Sequence, residues 1–217
     1  MIFQENLELN EHSELIGKHA PFSPSQHYWI DYSPEKLLAY WDNKDAQLVG
    51  TKVHQHAADL INMHYDFLEM GLPSPVSLIF KARKKDTVSL HVTHSAQHWL
   101  GAEVPVKYSD ICFGTADAIG FHIPTKTLYV NDLKTGKIQG DMRQLEQYAA
   151  IFLAEYSSAL QFQHHINLNE CKIQLRIFQY DDCVLAEPPA DYILNEVLEK
   201  ARRQHEVLAE ALDRRGQ

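Results

Sequence analysis

The spacing of hydrophobic residues along this chain switches between a helical and a strand period. Apolar positions recur at three- and four-residue intervals over residues 52 to about 70 and 141 to about 160, which predicts two amphipathic helices. Ser33 followed by Pro34 predicts an earlier helix start, because serine caps a helix and proline suits its first turn. A charged helix is predicted over residues 191–215.

Between these helices the apolar residues follow the pattern of strands. Strands are predicted at 76–80, 88–92, 104–113, 118–123 and 127–133, with another at 172–180. Residues 1–32 have no clear period and form an irregular N-terminal segment. Helices, a meander, a helix, a strand and a helix in this order predict an α/β fold with a mixed central β-sheet flanked by helices, in a single domain of residues 1–217.

Composition restricts the class of protein. A chain that is 45% hydrophobic and 23% charged is typical of a soluble globular domain. No secretory signal is recognisable at the N-terminus, and the most apolar helical run is too short to span a bilayer. The cysteines Cys112, Cys171 and Cys183 are widely spaced, so neither a disulfide framework nor a zinc ribbon is indicated. We expect a cytoplasmic protein without a membrane partner.

The charge of the chain is unevenly distributed. A net charge of −9 argues against a protein that coats nucleic acid, because phosphate binding draws on lysine and arginine. Cations nevertheless cluster locally, and this cluster is either a solvated loop or a phosphate-contacting patch; its members are Lys81, Arg83, Lys84 and Lys85. Lys137 and Arg143 lie near the acidic motif described next.

Two carboxylates and a lysine lie on neighbouring predicted strands. Asp117 begins one strand-like run, and Asp132 and Lys134 end the next, after turn residues around Pro124. Side chains alternate along a strand, so Asp132 and Lys134 share one face at the end of an apolar row. An exposed ion pair is the simpler interpretation of Asp132 and Lys134 alone.

These residues also have the chemistry of a divalent cation site. Mg²⁺ and Mn²⁺ prefer oxygen ligands, which Asp117 and Asp132 supply, with the backbone carbonyl of Leu133 as a plausible third. A bound cation lowers the pKa of its water and neutralises charge on a scissile phosphate. Lys134 is placed to orient that water and to stabilise the transition state.

Four motifs in chain order resemble the RecB-like branch of the PD-(D/E)xK nuclease superfamily. They are Gly50-Thr51-x-x-His54, Gly114-x-x-Asp117, Asp132-Leu133-Lys134 and Gln144-x-x-x-Tyr148. The resemblance covers about half of the chain and implies a restriction-endonuclease-like core. It departs from the family at Ala58, where an acidic residue often follows the early histidine.

The resemblance also implies roles for further residues. His54 would join the metal ligands, with His56 and His64 as nearby competitors, and Glu103 is either a contact of the metal or a loop residue. Gln144 and Tyr148 would contact DNA phosphate or position Lys134.

A zinc site at His91, His94 and His98 is disfavoured, because on a strand and loop these side chains would not converge. The three cysteines do not fit the iron–sulfur cluster of some relatives, and no nucleotide-binding loop is present.

The resemblance predicts a Mg²⁺- or Mn²⁺-dependent deoxyribonuclease in a bacterial or phage-infected cell. We expect an exonuclease of DNA recombination, repair or phage DNA metabolism, with a recombination or single-strand-annealing protein as a further partner. A catalytically weak or inactive nuclease fold that binds nucleic acid or protein as a regulator is the alternative. A structure-specific endonuclease is a third interpretation.

Overall fold

The computed structural model describes residues 5–16, 18, 20–42, 52–77, 86–135 and 139–214. Their centre is one five-stranded sheet with the strands side by side in chain order. The strands are β1 (Gly101–Ser109), β2 (Cys112–His122), β3 (Thr127–Leu133), β4 (Lys172–Gln179) and β5 (Asp182–Ala186).

Short turns and one crossover explain this order. The turns between β1 and β2, β2 and β3, and β4 and β5 make these pairs antiparallel, whereas β3 and β4 are parallel. A parallel pair needs a long connection, and here the chain between the two strands contains a helix. The sheet is therefore mixed, as the order of sequence patterns predicts.

The helices cover the sheet on both faces. They are α1 (Pro34–Asp42), α2 (Lys52–Glu69), α3 (Thr87–Gln97), α4 (Met142–Glu155) and α5 (Leu198–Arg214). Shorter helical turns lie at Ser13–Leu15, Pro24–Asp31, Ala159–Gln163, Leu168–Glu170, Ala190–Tyr192 and Ile193–Val197. No helix within the described ranges combines the length and the apolar character needed to cross a bilayer.

Alternation along β3 divides the core into two layers. Leu128 and Val130 pack on one face, with Leu145 and Phe152 of α4, while Tyr129 and its neighbours pack on the other, with α2 and α3. Every residue of β3 is buried. A strand covered on both faces is expected to be continuously apolar, so the polar side chains at its end are conspicuous.

The prediction of a strand at 88–92 was wrong, because this segment lies in helix α3. Val88, Leu90 and Val92 mimic the two-residue period of a strand. The deciding signal is Asp86, which caps the helix by accepting a hydrogen bond from the Ser89 backbone N–H at 3.0 Å. The argument against a zinc site assumed that His91 and His94 lie on a strand and a loop and so cannot converge. That assumption is wrong, since helix α3 brings the two side chains to one side.

Other boundaries also needed correction. The predicted strand 104–113 is a hairpin of β1 and β2, and Val76 and Ser77 are helical, while 78–80 lie outside the described residues. The helix predicted to reach residue 160 ends at Glu155. Strand β5 was not predicted, because its few exposed residues show no alternation.

We expect the β2–β3 interface to carry much of the stability. Ile119 of β2 is fully buried and pairs with Val130, so Ile119→Ala should lower the free energy of unfolding by about 2–5 kcal/mol through lost burial and a cavity. Leu185→Ala is the control, since Leu185 is exposed and its truncation should cost less than about 0.5 kcal/mol. Urea unfolding followed by circular dichroism measures both, and an equal loss in the two variants would contradict this packing.

Candidate metal centre

The two strand carboxylates lie where β2 and β3 stop pairing. The last paired residues are Ala118 and Asn131, and Asp117 and Asp132 come immediately beyond them. There the Oδ2 atom of Asp117 accepts a hydrogen bond of 2.7 Å from the backbone N–H of Leu133. The side chain thus takes the place of a backbone partner, which fixes the Asp117 carboxylate between the two strands.

A second acid and a histidine converge on Asp117. Ligand atoms of His54, Glu103 and Asp117 all lie within 4.8 Å of one another. His54 reaches over from α2, with its Nδ1 atom 3.1 Å from Oδ1 of Asp117. The three come from different elements, so only the folded chain forms this group.

Glu103 enters the group through an unusual backbone. It lies between the pairs Ala102–Ala118 and Val104–Ala116, and so opposite Asp117. Its φ of 50° is in the left-handed region, which a residue with a side chain rarely adopts inside a strand. Such strain costs about 1–3 kcal/mol and persists at sites where the surrounding structure enforces it. Glu103 therefore lies in strand β1 beside Asp117 and not in a loop, and its contact with a metal stays a prediction.

Asp132 forms a triangle of hydrogen-bonded side chains with Lys134 and Gln144. Its Oδ1 atom accepts hydrogen bonds from Lys134 Nζ at 3.0 Å and from Gln144 Nε2 at 3.1 Å. Lys134 Nζ also donates to Gln144 Oε1 at 3.0 Å. The Oδ2 atom of Asp132 is buried and has no hydrogen-bond partner among the described residues. A buried carboxylate oxygen without a partner is costly and calls for a proton, a water or a cation.

Burial and mutual repulsion shift the titration of the acids. Burial and the nearby Asp117 charge raise the pKa of Asp132 to about 6, and the same two causes raise the pKa of Glu103 to about 7. Burial works in the same direction on Asp117, but the hydrogen bond and charge of His54 outweigh it and keep the pKa of Asp117 below its usual value. The hydrogen bond to Asp117 likewise raises the pKa of His54. The site holds more negative charge than its own cations neutralise.

This donor set suits a divalent cation. The two carboxylates and the imidazole of this group offer oxygen and nitrogen ligands of the kind that Mg²⁺ and Mn²⁺ accept. Outside the group, the buried Oδ2 of Asp132 is a further oxygen without a partner in the described chain, and the Asp117 charge acts on it. The backbone N–H of Leu133 donates a hydrogen bond to Asp117, whereas the role of the Leu133 carbonyl as a metal ligand stays a prediction. Of the competing histidines, His56 is exposed on α2, and His64 is buried with its Nδ1 2.7 Å from Ser74 Oγ.

Tyr148 acts on the backbone of β2. Its hydroxyl donates a 2.6 Å hydrogen bond to the Thr115 carbonyl, and it is buried on α4 one turn after Gln144. Space is tight here: a Cβ atom at Gly114 would lie 3.2 Å from that hydroxyl and 2.9 Å from Pro24 Cδ. The glycine of the Gly114-x-x-Asp117 motif therefore lets Tyr148 approach the strand.

Of the predicted DNA-binding cations, Arg143 alone lies within the described residues, and it pairs with an acid outside this group. Arg143 is tied to Asp141, which caps α4, and its guanidinium donates to both carboxylate oxygens of that residue. Lys81, Arg83, Lys84, Lys85 and Lys137 lie outside the described residues, as do Gly50 and Thr51 of the first motif.

Sequence reasoning considered His91 only for a zinc site and did not place it near Asp117. Its side chain is 1% exposed, neither ring nitrogen has a hydrogen-bond partner within the described ranges, and burial lowers its pKa to about 4. The charges of Asp117 and His54 act on it, so this neutral ring lies close to the candidate ligands. A helical assignment of 87–97 would have placed it against the sheet.

The chain was compared with known proteins. Neither the protein-family profiles nor the curated proteins contain a match to it. The family resemblance of the motifs therefore stays a prediction.

The raised pKa of Asp132 has a consequence for the metal-free protein. A carboxyl with a raised folded-state pKa binds its proton more tightly when folded, so its support for the fold is present at low pH and is lost as the pH rises from 3.8 to about 6. In EDTA, Asp132→Asn should be as stable as wild type near pH 4. Above pH 6 it should melt at a higher temperature than wild type, with a gain in the free energy of unfolding of at most about 3 kcal/mol. Thermal melts across this range measure the difference.

The control is an exposed acid, Asp191→Asn, which should follow wild type at every pH. If Asp132→Asn were less stable than wild type throughout the pH range, this would contradict the claim that burial and the Asp117 charge destabilise the ionised Asp132.

Proposed function

We propose that this protein is a metal-dependent nuclease with a restriction-endonuclease-like core. The observation that carries the proposal is the Asp132–Lys134–Gln144 triangle directly beside the group of His54, Glu103 and Asp117. Such a centre combines acidic ligands with a lysine that is held by hydrogen bonds. Phosphodiester hydrolysis needs both parts, because negative charge builds on the phosphate as water attacks.

The chain's own residues divide this work. Asp117, Asp132, Glu103 and His54 would hold Mg²⁺ or Mn²⁺, which when bound supplies an activated water and neutralises phosphate charge. Lys134 directs an ammonium into the same space, where it stabilises charge on the reacting phosphate and orients the water. Gln144 fixes that ammonium because its Oε1 atom accepts a hydrogen bond of 3.0 Å from Lys134 Nζ. Tyr148 supports the β2 backbone two residues before Asp117.

We further propose that the substrate is DNA and that the protein is an exonuclease, rather than a structure-specific endonuclease, of recombination, repair or phage DNA metabolism. The resemblance of the motifs supports this choice, and with it a recombination or single-strand-annealing partner protein.

A catalytically inactive regulator of the same fold is the second candidate. The net charge of −9 and the neutralisation of Arg143 by Asp141 favour it, since neither helps to attract a polyanion. A binding protein of this kind has no need to take up Mn²⁺ at Asp117 and Asp132.

Two substitutions should distinguish metal binding from DNA cleavage. Asp117→Asn should lose both Mn²⁺ binding and DNA cleavage, because it removes a ligand. Lys134→Met should keep Mn²⁺ binding and lose cleavage by at least about 10²-fold, because all proposed ligands remain while the ammonium that stabilises the transition state is lost. Calorimetric titration with Mn²⁺ and degradation of labelled DNA, with and without EDTA, measure the two properties.

The matched control is Lys172→Met at the opposite end of the sheet, where β4 begins and Lys172 is exposed. It should leave both properties unchanged. Metal-dependent cleavage that survives Asp117→Asn and Lys134→Met would overturn the assignment, whereas Mn²⁺ binding without any cleavage by wild type would favour the regulator.

A further inference from the structure

A groove lies beside the candidate centre on the same face of the sheet. Its volume is about 500 Å³, which is within the usual range for a small-molecule site. Met142, Ile177, Tyr180 and Val184 give it apolar walls, and its polar groups are the amides of Gln139 and Gln179 and the carboxylate of Asp182. None of the described residues that line it is lysine or arginine.

The sheet register ties this groove to the proposed ligands. Asp132 of β3 is paired with Ile177 of β4, and Ile177 is paired with Val184 of β5. Paired residues point to the same face of a sheet. The Asp132 carboxylate, Ile177 at the floor of the groove and Val184 at its rim therefore lie in one row across three strands. Two strand spacings separate the ends of this row by about 10 Å.

Gly140 joins the groove to Lys134. A Cβ atom at Gly140 would lie 2.7 Å from Cγ2 of Ile177 and 3.2 Å from Cγ of Lys134. The backbone therefore passes between the groove floor and the lysine with no room for a side chain. The Gly140 N–H donates to Gln179 Oε1 at 3.1 Å, which fixes one of the two amides of the lining.

We propose that this groove binds the nucleobase of a nucleotide next to the scissile phosphate. Apolar walls with an aromatic ring suit stacking on a base, and the amides and the Asp182 carboxylate suit hydrogen bonds to its edge. A base can enter only when it is unpaired, so the substrate would be single-stranded nucleic acid or a frayed end. This inference rests on the proposed nuclease function and adds a preference for an unpaired base.

The test uses single-stranded DNA oligonucleotides with one abasic residue at successive positions, cleaved in Mn²⁺. Wild type should cut one phosphodiester bond beside the abasic residue at least about fivefold more slowly than in the intact strand, because the base contact is lost. Val184→Trp fills the groove from its exposed rim, so it should cut the intact strand as slowly as the abasic one. Leu185→Trp is the matched control: Leu185 is the exposed neighbour on the opposite face of β5, and this variant should behave as wild type.

Equal cutting at every abasic position, or a Val184→Trp protein that still discriminates, would overturn the base groove while leaving the nuclease intact. If wild type cuts no oligonucleotide in metal, the nuclease proposal fails, and equilibrium dialysis of deoxynucleosides against 2-deoxyribose then tests the groove alone. Deoxynucleoside binding that Val184→Trp abolishes would support it. Absence of such binding to wild type would overturn it.

Discussion

The crowding of buried carboxylates at the point where β2 and β3 separate is the constraint on which the rest of the site depends. Asp117 replaces a backbone partner for Leu133, and Asp132 lies opposite with one oxygen buried and without a partner in the described chain. Folding therefore buries these acids and holds like charges together at a cost, and both causes, burial first, raise the pKa values of Asp132 and Glu103. A cation removes this cost, so the arrangement favours a protein that binds one.

The sheet is held at this point from both faces. Helix α4 brings Gln144 to Asp132 and Lys134, while α2 brings His54 to Asp117. Each helix is placed by its own apolar layer, with Leu145 in one and Ile61 in the other. The geometry of the centre is thus set by core packing, and the positive φ of Glu103 shows how firmly the sheet imposes it.

Local patterns predicted the part of the site that is close in sequence. Turn chemistry and alternation were enough to place Asp117 and Asp132 on adjacent strands, and helical spacing put Gln144 and Tyr148 on one face. Long-range register was out of reach: no local signal sets Glu103 opposite Asp117. The strand assignment of 88–92 failed because alternating Val88, Leu90 and Val92 outweighed the Asp86 cap, and it concealed His91.

The central claim is that His54, Glu103, Asp117 and Asp132 together bind one divalent cation. A crystal soaked in Mn²⁺ and measured at the manganese absorption edge tests it most directly. The account predicts an anomalous peak within coordination distance, about 2.0–2.6 Å, of oxygen or nitrogen atoms from these side chains. No peak at this position, or Mn²⁺ bound only elsewhere on the chain, would contradict it.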